Sequence, residues 1–129
     1  DWVAIRARPA PAEGLTVMAS RRSGGGAQLA YLERLQVAET VQASSSLKLC
    51  RIAEGVADLY PRFGPTMAWD IAAGHAVLAA AGGQVWTFDG QAMTYERGRV
   101  AGCDAFANPN FVASGAFDPV DLVRTGPSA

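Results

Sequence analysis

The chain has 129 residues, and its 11 basic and 12 acidic side chains give a formal charge of −1. Half of its residues are hydrophobic, which is enough for one packed domain and excludes a disordered chain. This charge offers no positive field for a nucleic-acid polymer or an anionic membrane, and the longest apolar run, residues 76–81, is far shorter than the ~20 residues of a membrane-spanning helix.

Strands and helices are predicted to alternate along the first half of the chain. Apolar alternation and β-branched runs indicate the strands, and leucines at helical spacing indicate the helices. The predicted elements are a strand over 2–8, a strand over 15–20, an amphipathic helix over 28–35, a strand over 39–43 and an apolar helix over 47–54.

The second half continues the same pattern and adds a hairpin. We predict a strand over 56–63, a helix over 69–81, paired strands over 85–88 and 92–95, a strand over 106–113 and a short helix over 118–124. The alanine-rich helix shows no strong polar face, so we expect it to be buried, with small residues that let its neighbours approach closely. The pattern predicts an α/β fold with a layered mixed β-sheet flanked by helices.

The cysteines and the single histidine argue against a zinc site. Cys50 and Cys103 are far apart and form no CxxC pair, and His75 stands alone. We interpret Cys50 as an inert thiol in an apolar helix and His75 as a packing residue. A reduced, cytoplasmic protein is the simplest inference.

Three segments carry polar groups that suit phosphate chemistry. Ser45 and Lys48 lie at a predicted helix start, where free N–H groups and a cation favour phosphate; helix capping with a solvated lysine is the alternative. Arg62 lies between aromatic residues and prolines and suits a phosphate or a base, or is a surface arginine. Asp70 near the start of a helix suits Mg²⁺ or caps the helix. No DxD or EE cluster completes a metal site.

Taken in order, these segments resemble the C-terminal half of the inositol monophosphatase superfamily and, within it, the CysQ-type 3'(2'),5'-bisphosphate nucleotidases. The likeness rests on SSLKLC at 45–50, LYPRFGPT at 59–66, WDIAAGHAV at 69–77 and AGG at 81–83. The first two point to the nucleotidase branch, and the others match the second signature of the superfamily. Ala19-Ser20-Arg21 and Asn108-Pro109 fit the same family, so the resemblance runs from about Val3 to Ser114.

The resemblance implies a Mg²⁺-dependent, lithium-sensitive phosphatase that removes the 3'-phosphate of 3'-phosphoadenosine 5'-phosphate, a by-product of sulfate assimilation. Carried over by position, Asp70 is the expected metal ligand. Ser45, Lys48, Arg62 and Asp70 are the expected substrate-binding residues. Two alternatives stay open: an inositol- or sugar-phosphate phosphatase of the same superfamily, and a non-catalytic phosphate-binding module.

Two departures and one absence qualify this expectation. The family's SRSH segment is Ser20-Arg21-Arg22-Ser23 here, without the histidine, and Ser44 stands where a glycine is often found. The paired glutamates and DPxDGT signature of the family's N-terminal domain have no match. We therefore expect residues 1–129 to form a single C-terminal substrate- and metal-binding domain without the N-terminal catalytic domain. We expect it to be inactive alone and prone to self-association through exposed apolar surface.

Overall fold

A computed structural model describes residues 2–19, 26–43, 47–95 and 106–125. These residues form a five-stranded mixed sheet in the order β2-β1-β3-β5-β4. The elements in chain order are β1 Leu15–Ala19, α1 Gly26–Glu33, β2 Val37–Gln42, α2 Leu47–Ala53, β3 Leu59–Arg62, α3 Ala68–Ala80, β4 Gln84–Thr87, β5 Phe111–Ser114 and α4 Pro119–Thr125. The predicted fold class, an α/β fold with a mixed sheet between helices, is confirmed.

The sheet separates two layers of helices because successive side chains of a strand point to opposite faces. One face carries α2 and α3, and the other carries α1 and α4. The strand residues in the first core are Met18, Tyr60, Val85, Phe111 and Ala113, and those in or against the second are Leu15, Val17, Val37, Leu59, Trp86 and Val112.

The strand order reverses direction within the parallel part of the sheet. Strand β1 pairs in parallel with β2 on one side and with β3 on the other. The connections from β1 to β2 and from β2 to β3 therefore run in opposite directions, and their helices lie on opposite faces. Ligands of open α/β sheets bind at such a reversal, outside the carboxyl ends of the strands. We call this side of the sheet the carboxyl edge; β3 reaches it at Arg62.

Helices α2 and α3 approach each other closely at a glycine. A Cβ atom on Gly74 would lie 2.8 Å from Leu49 Cδ1, so no larger residue fits without movement. This close packing confirms the expectation drawn from the small residues of α3. The expectation that α3 is wholly buried is wrong. Only Ile71, Gly74 and Leu78 are buried, and Val77 lies on an exposed outer face where alanines are tolerated.

The predicted strand over residues 2–8 is wrong. This segment lies outside every strand of the described sheet, and Trp2 and Val3 are exposed. Specific contacts hold its end instead: the Ala7 N–H donates to the Ala81 carbonyl over 2.9 Å. The Arg8 guanidinium binds the fully buried Asp58 carboxylate with Nε at 2.7 Å and Nη2 at 3.0 Å.

Several other boundaries differ from the prediction. Strand β3 begins at Leu59 rather than at residue 56, and β5 begins at Phe111 rather than at residue 106. The second hairpin strand, 92–95, is reduced to an isolated bridge between Trp86 and Ala92. The remaining elements lie within two residues of their predicted starts, although Leu29, predicted on the apolar face of α1, is exposed.

Candidate anion and metal site

Three of the four predicted site residues lie on elements that meet the carboxyl edge. Lys48 is in the first turn of α2, Arg62 ends β3, and Asp70 is in the first turn of α3. The parallel order of the strands produces this arrangement, because α2 starts after β2 ends and α3 starts just after β3 ends. Ser45 lies outside the described residues.

Lys48 is a buried cation. Only 3% of the residue is exposed to solvent. Its Nζ lies 4.8 Å from the centroid of the Tyr60 ring, within cation–π range. Burial lowers the pKa of Lys48, and the positive charge of Arg62 lowers it further. The interpretation of Lys48 as a solvated lysine is therefore wrong.

Arg62 lies near enough for its charge to act on Lys48, and it has unused hydrogen-bonding capacity. Its Nε is buried and has no hydrogen-bond partner among the described residues, while Nη2 donates over 3.5 Å to the Pro65 carbonyl. A buried donor without a partner is rare in folded proteins, and a water molecule or a bound acceptor would satisfy it. The alternative of an ordinary surface arginine does not explain that buried donor.

No carboxylate offsets the two cations within the described part of the chain. The ion pairs there join Arg8 to Asp58 and Arg51 to Glu54. Lys48 and Arg62 instead lie close enough for the charge of one to lower the pKa of the other. Two cations that interact in this way, with no ion pair to a carboxylate among the described residues, are suited to hold an anion, and phosphate fits in charge and in hydrogen-bonding capacity.

Tyr60 joins the site, although the sequence analysis did not single it out. It precedes Arg62 by two residues on β3, so both side chains point to the same face of the sheet. Its ring packs edge-to-face on Phe111 at 5.7 Å and lies under Lys48 Nζ. Burial raises the pKa of Tyr60, and Arg62 partly opposes that rise. The sequence did contain a signal for Tyr60: in a predicted strand, residues two positions apart share a face, so Tyr60 was expected on the same face as Arg62.

Asp70 caps α3 and also presents an oxygen ligand. Its Oδ2 accepts the Met67 N–H over 2.8 Å, and its own N–H donates to the Met67 carbonyl over 2.9 Å. The capping alternative is thus real, but it uses one of two carboxylate oxygens on an exposed residue. A hard oxygen donor fits Mg²⁺ as a single ligand. Within the described ranges, no three His, Cys, Asp or Glu residues are grouped to hold a metal.

His75 is a satisfied packing residue, as predicted. Nδ1 lies 2.8 Å from the Tyr95 hydroxyl and Nε2 lies 3.1 Å from Gln84 Oε1. Because Gln84 Oε1 also accepts the Val85 N–H, the proton on this imidazole is on Nε2. Cys50 is a partly buried free thiol, and Cys103 lies outside the described residues. Among the helices that the structure describes, none has the length and hydropathy needed to cross a membrane.

Comparisons with known proteins agree with the fold and the motifs. The model of the inositol monophosphatase family matches residues 12–114. The 3'(2'),5'-bisphosphate nucleotidase CysQ of Escherichia coli K12 is 48% identical over 94 residues, which cover 72% of this chain and 36% of that protein. CysQ of Buchnera aphidicola is 42% identical over 105 residues.

Solved structures show the same fold. CysQ from Bacteroides thetaiotaomicron, described as a bacterial member of the inositol monophosphatase family, superposes with a TM-score of 0.63 at 33% identity over 85% of this chain and 40% of that one. Inositol monophosphatase from Anabaena gives a TM-score of 0.66 at 20% identity over 95% of this chain and 48% of that one. The chain thus spans less than half the length of these proteins. The CysQ-type resemblance is confirmed, and the chain belongs to the inositol monophosphatase family.

Proposed function

We propose that this chain is the C-terminal substrate- and metal-binding domain of a Mg²⁺-dependent phosphatase that hydrolyses the 3'-phosphate of 3'-phosphoadenosine 5'-phosphate. One observation carries the proposal. The buried Lys48 and the partly buried Arg62 lie near enough for the charge of Arg62 to lower the pKa of Lys48, neither forms an ion pair with a carboxylate among the described residues, and the buried Arg62 Nε lacks a partner there.

The substrate suggested by this site is a small phosphorylated molecule. A phosphate group offers the negative charge that Lys48 and Arg62 lack and acceptors for the Arg62 donors. The similarity to proteins named CysQ supports a bisphosphate nucleotide in particular. Ser45, at the start of the SSLK segment, is proposed to bind the same substrate.

Asp70 is the proposed metal ligand of this domain. When bound, Mg²⁺ would offset the phosphate charge and lower the pKa of a bound water. The role of Asp70 is to hold one carboxylate oxygen at the start of α3, next to the loop that follows Arg62. The remaining ligands and the catalytic groups are proposed to lie in an N-terminal domain, so that residues 1–129 alone are inactive and self-associate through exposed apolar surface.

The setting proposed from the same resemblance is the cytoplasm, in sulfate assimilation, with inhibition by lithium. One assay tests the activity. The protein made from the complete reading frame is given Mg²⁺ and, in parallel, 3'-phosphoadenosine 5'-phosphate, inositol 1-phosphate and fructose 1,6-bisphosphate, and released phosphate is measured. Asp70→Asn keeps an oxygen that can cap α3 but removes the charge of the ligand. Glu54→Gln, an exposed carboxylate paired with Arg51, is the matched control.

We expect preference for the nucleotide, loss of that activity in Asp70→Asn and normal activity in Glu54→Gln. Preference for inositol 1-phosphate or the sugar phosphate would leave the family assignment intact and overturn the assignment of a nucleotide substrate. Arg22 and Ser23 would then be the first positions to test. Hydrolysis of none of the three would favour a non-catalytic phosphate-binding module.

A further inference from the structure

The loop between β3 and α3 is fastened to a distant part of the chain. Residues 63–67 connect Arg62 to the helix that begins next to Met67, and residues 106–110 run alongside them. Asn110 Oδ1 accepts the Gly64 N–H over 3.0 Å, and Asn108 Nδ2 donates to Thr66 Oγ1 over 3.1 Å. Both asparagine side chains are thus bound to this one loop.

Backbone contacts make the attachment continuous. The Asn108 N–H donates to the Thr66 carbonyl over 2.9 Å, and the Ala68 N–H donates to the Phe106 carbonyl over 2.7 Å. Met67 and Ala107 form an isolated bridge between these contacts. The two side-chain bonds therefore extend a short ladder toward Arg62.

The loop needs such support at Gly64. Its φ of +133° lies in a region that favours glycine, and glycine samples many other conformations at little cost. Pro65, the next residue of this loop, accepts a hydrogen bond from Arg62 Nη2 over 3.5 Å, so a change in conformation at Gly64 displaces an acceptor of the Arg62 guanidinium. The Gly64 N–H has Asn110 as its acceptor, which fixes the peptide plane at this point.

We propose that Asn108 and Asn110 are positioning residues for substrate binding: they hold the loop that sets the place of Arg62 relative to Lys48. The proposal rests on the proposed function, because its test measures the binding of a phosphorylated substrate. Neither asparagine is assigned a contact with substrate. Asn110 acts through Gly64, and Asn108 acts through Thr66.

The test measures binding and turnover separately in the protein from the complete reading frame. Binding of 3'-phosphoadenosine 5'-phosphate without metal is measured by calorimetry, well below the Tm, for Asn110→Ala, Asn108→Ala, Thr66→Val and the double variant of Asn108 and Thr66. Gln36→Ala is the control, because the Gln36 side chain also donates to a backbone carbonyl, that of Glu13, but at the opposite end of the sheet.

We expect Asn110→Ala and Asn108→Ala each to weaken binding and raise KM by roughly three- to tenfold, the loss expected for one hydrogen bond, with little change in kcat. Adding Thr66→Val to Asn108→Ala should cost nothing further, because both remove the same bond. Gln36→Ala should bind normally.

Two results would overturn the proposal, and they differ. Normal binding and KM in both asparagine variants, beside an active parent protein, would refute the positioning role alone. Failure of the parent protein to bind or hydrolyse the nucleotide would refute the proposed function, and the positioning role would fall with it.

Discussion

At the scale of single residues, Lys48 illustrates a conflict between stability and binding. Burial and the charge of Arg62 both disfavour the ammonium form of Lys48 and lower its pKa. The cation–π contact with Tyr60 offsets part of that cost. This cost is consistent with the proposed role of Lys48 in binding an anion, because an apolar side chain of similar length would be more stable in the same place.

Replacing Lys48 with methionine should therefore separate stability from binding. We expect Lys48→Met to raise the free energy of unfolding by about 0.5–2 kcal/mol, because a desolvated charge next to Arg62 is removed. The KM for the phosphorylated substrate should rise at the same time. Chemical denaturation and steady-state kinetics measure the two effects. A variant that is less stable and binds normally would show that Lys48 serves the fold.

The lowered pKa of Lys48 also predicts a pH dependence. As pH rises through that pKa, the ammonium loses its proton and its attraction for phosphate, so affinity should fall at a lower pH than the usual lysine value of 10.5. The free energy of unfolding should instead rise with pH between the lowered pKa and 10.5, because the folded protein loses the buried charge before the unfolded chain loses its proton. Calorimetric binding against pH tests this, and Lys48→Arg should shift the fall in affinity to higher pH. An unchanged profile in Lys48→Arg would refute it.

At the scale of elements, the position of Lys48 depends on how α2 packs on α3. Gly74 leaves room for Leu49, the residue that follows Lys48. The small residues of α3 predicted this contact from the sequence. The hydrophobicity of α3 did not predict its exposed face, since alanine is compatible with both a core and a surface and carries little information about either.

A methyl group at Gly74 should push the two helices apart. We expect Gly74→Ala to destabilise the protein by about 1–3 kcal/mol, because its Cβ would meet Leu49 Cδ1 and Cβ at 2.8 and 3.1 Å. The KM should rise as α2 carries Lys48 away from Arg62. Combining Gly74→Ala with Leu49→Ala should recover part of the loss, measured as a double-mutant cycle by chemical denaturation. Strictly additive effects of the two substitutions would contradict this packing account.

Sequence periodicity predicts most of the elements but not the loop contacts between them. The central strands and α2 were predictable because their apolar residues repeat at strand or helix spacing. The strand over residues 2–8 was wrong although its residues alternate, because pairing partners are a property of the fold and not of the segment. The contacts of Asn108 and Asn110 with the loop at Gly64 have no local sequence signal, since 46 positions separate Gly64 from Asn110.

At the scale of the whole molecule, Asp58 joins the N-terminal segment to the sheet. Its buried carboxylate accepts from Arg8 and, over 2.7 Å, from the Thr16 N–H of β1. Its backbone N–H also donates to the Thr16 carbonyl, and its carbonyl accepts the Gly115 N–H. This one residue therefore connects the N-terminal segment, β1, β3 and the end of β5, on the side of the sheet away from the proposed site.

Loss of the Asp58 charge should weaken the fold and spare the site. We expect Asp58→Asn to lower the free energy of unfolding by about 3 kcal/mol, because a buried acceptor of charged hydrogen bonds is replaced. The KM at a temperature well below the Tm should remain unchanged, since the substituted residue lies at the opposite end of β3 from Arg62. A decrease in the free energy of unfolding below ~1 kcal/mol, measured by chemical denaturation, would contradict this. It would show that water replaces the Asp58 contacts with Arg8 and Thr16 at little cost.

The resemblance to the family supplied what physical reasoning from the sequence could not: which arginine, lysine and aspartate to expect in one site. Spacing alone left Lys48 and Arg62 open to ordinary surface interpretations, because 14 positions separate them in the chain. The strand order places both at the carboxyl edge, Lys48 is buried there, and Arg62 Nε is buried without a partner in the part of the chain that the structure describes.

The central claim is that Arg62 and Lys48 form the binding site for a phosphorylated substrate. The most direct test is the KM for 3'-phosphoadenosine 5'-phosphate in the protein from the complete reading frame, comparing Arg62→Gln with Arg51→Gln. Arg51 is exposed and paired with Glu54, so it is a matched arginine outside the site. We predict a KM raised roughly tenfold to a hundredfold in Arg62→Gln, as for a lost charged hydrogen bond, and unchanged in Arg51→Gln. Equal KM values in the two variants would contradict the account.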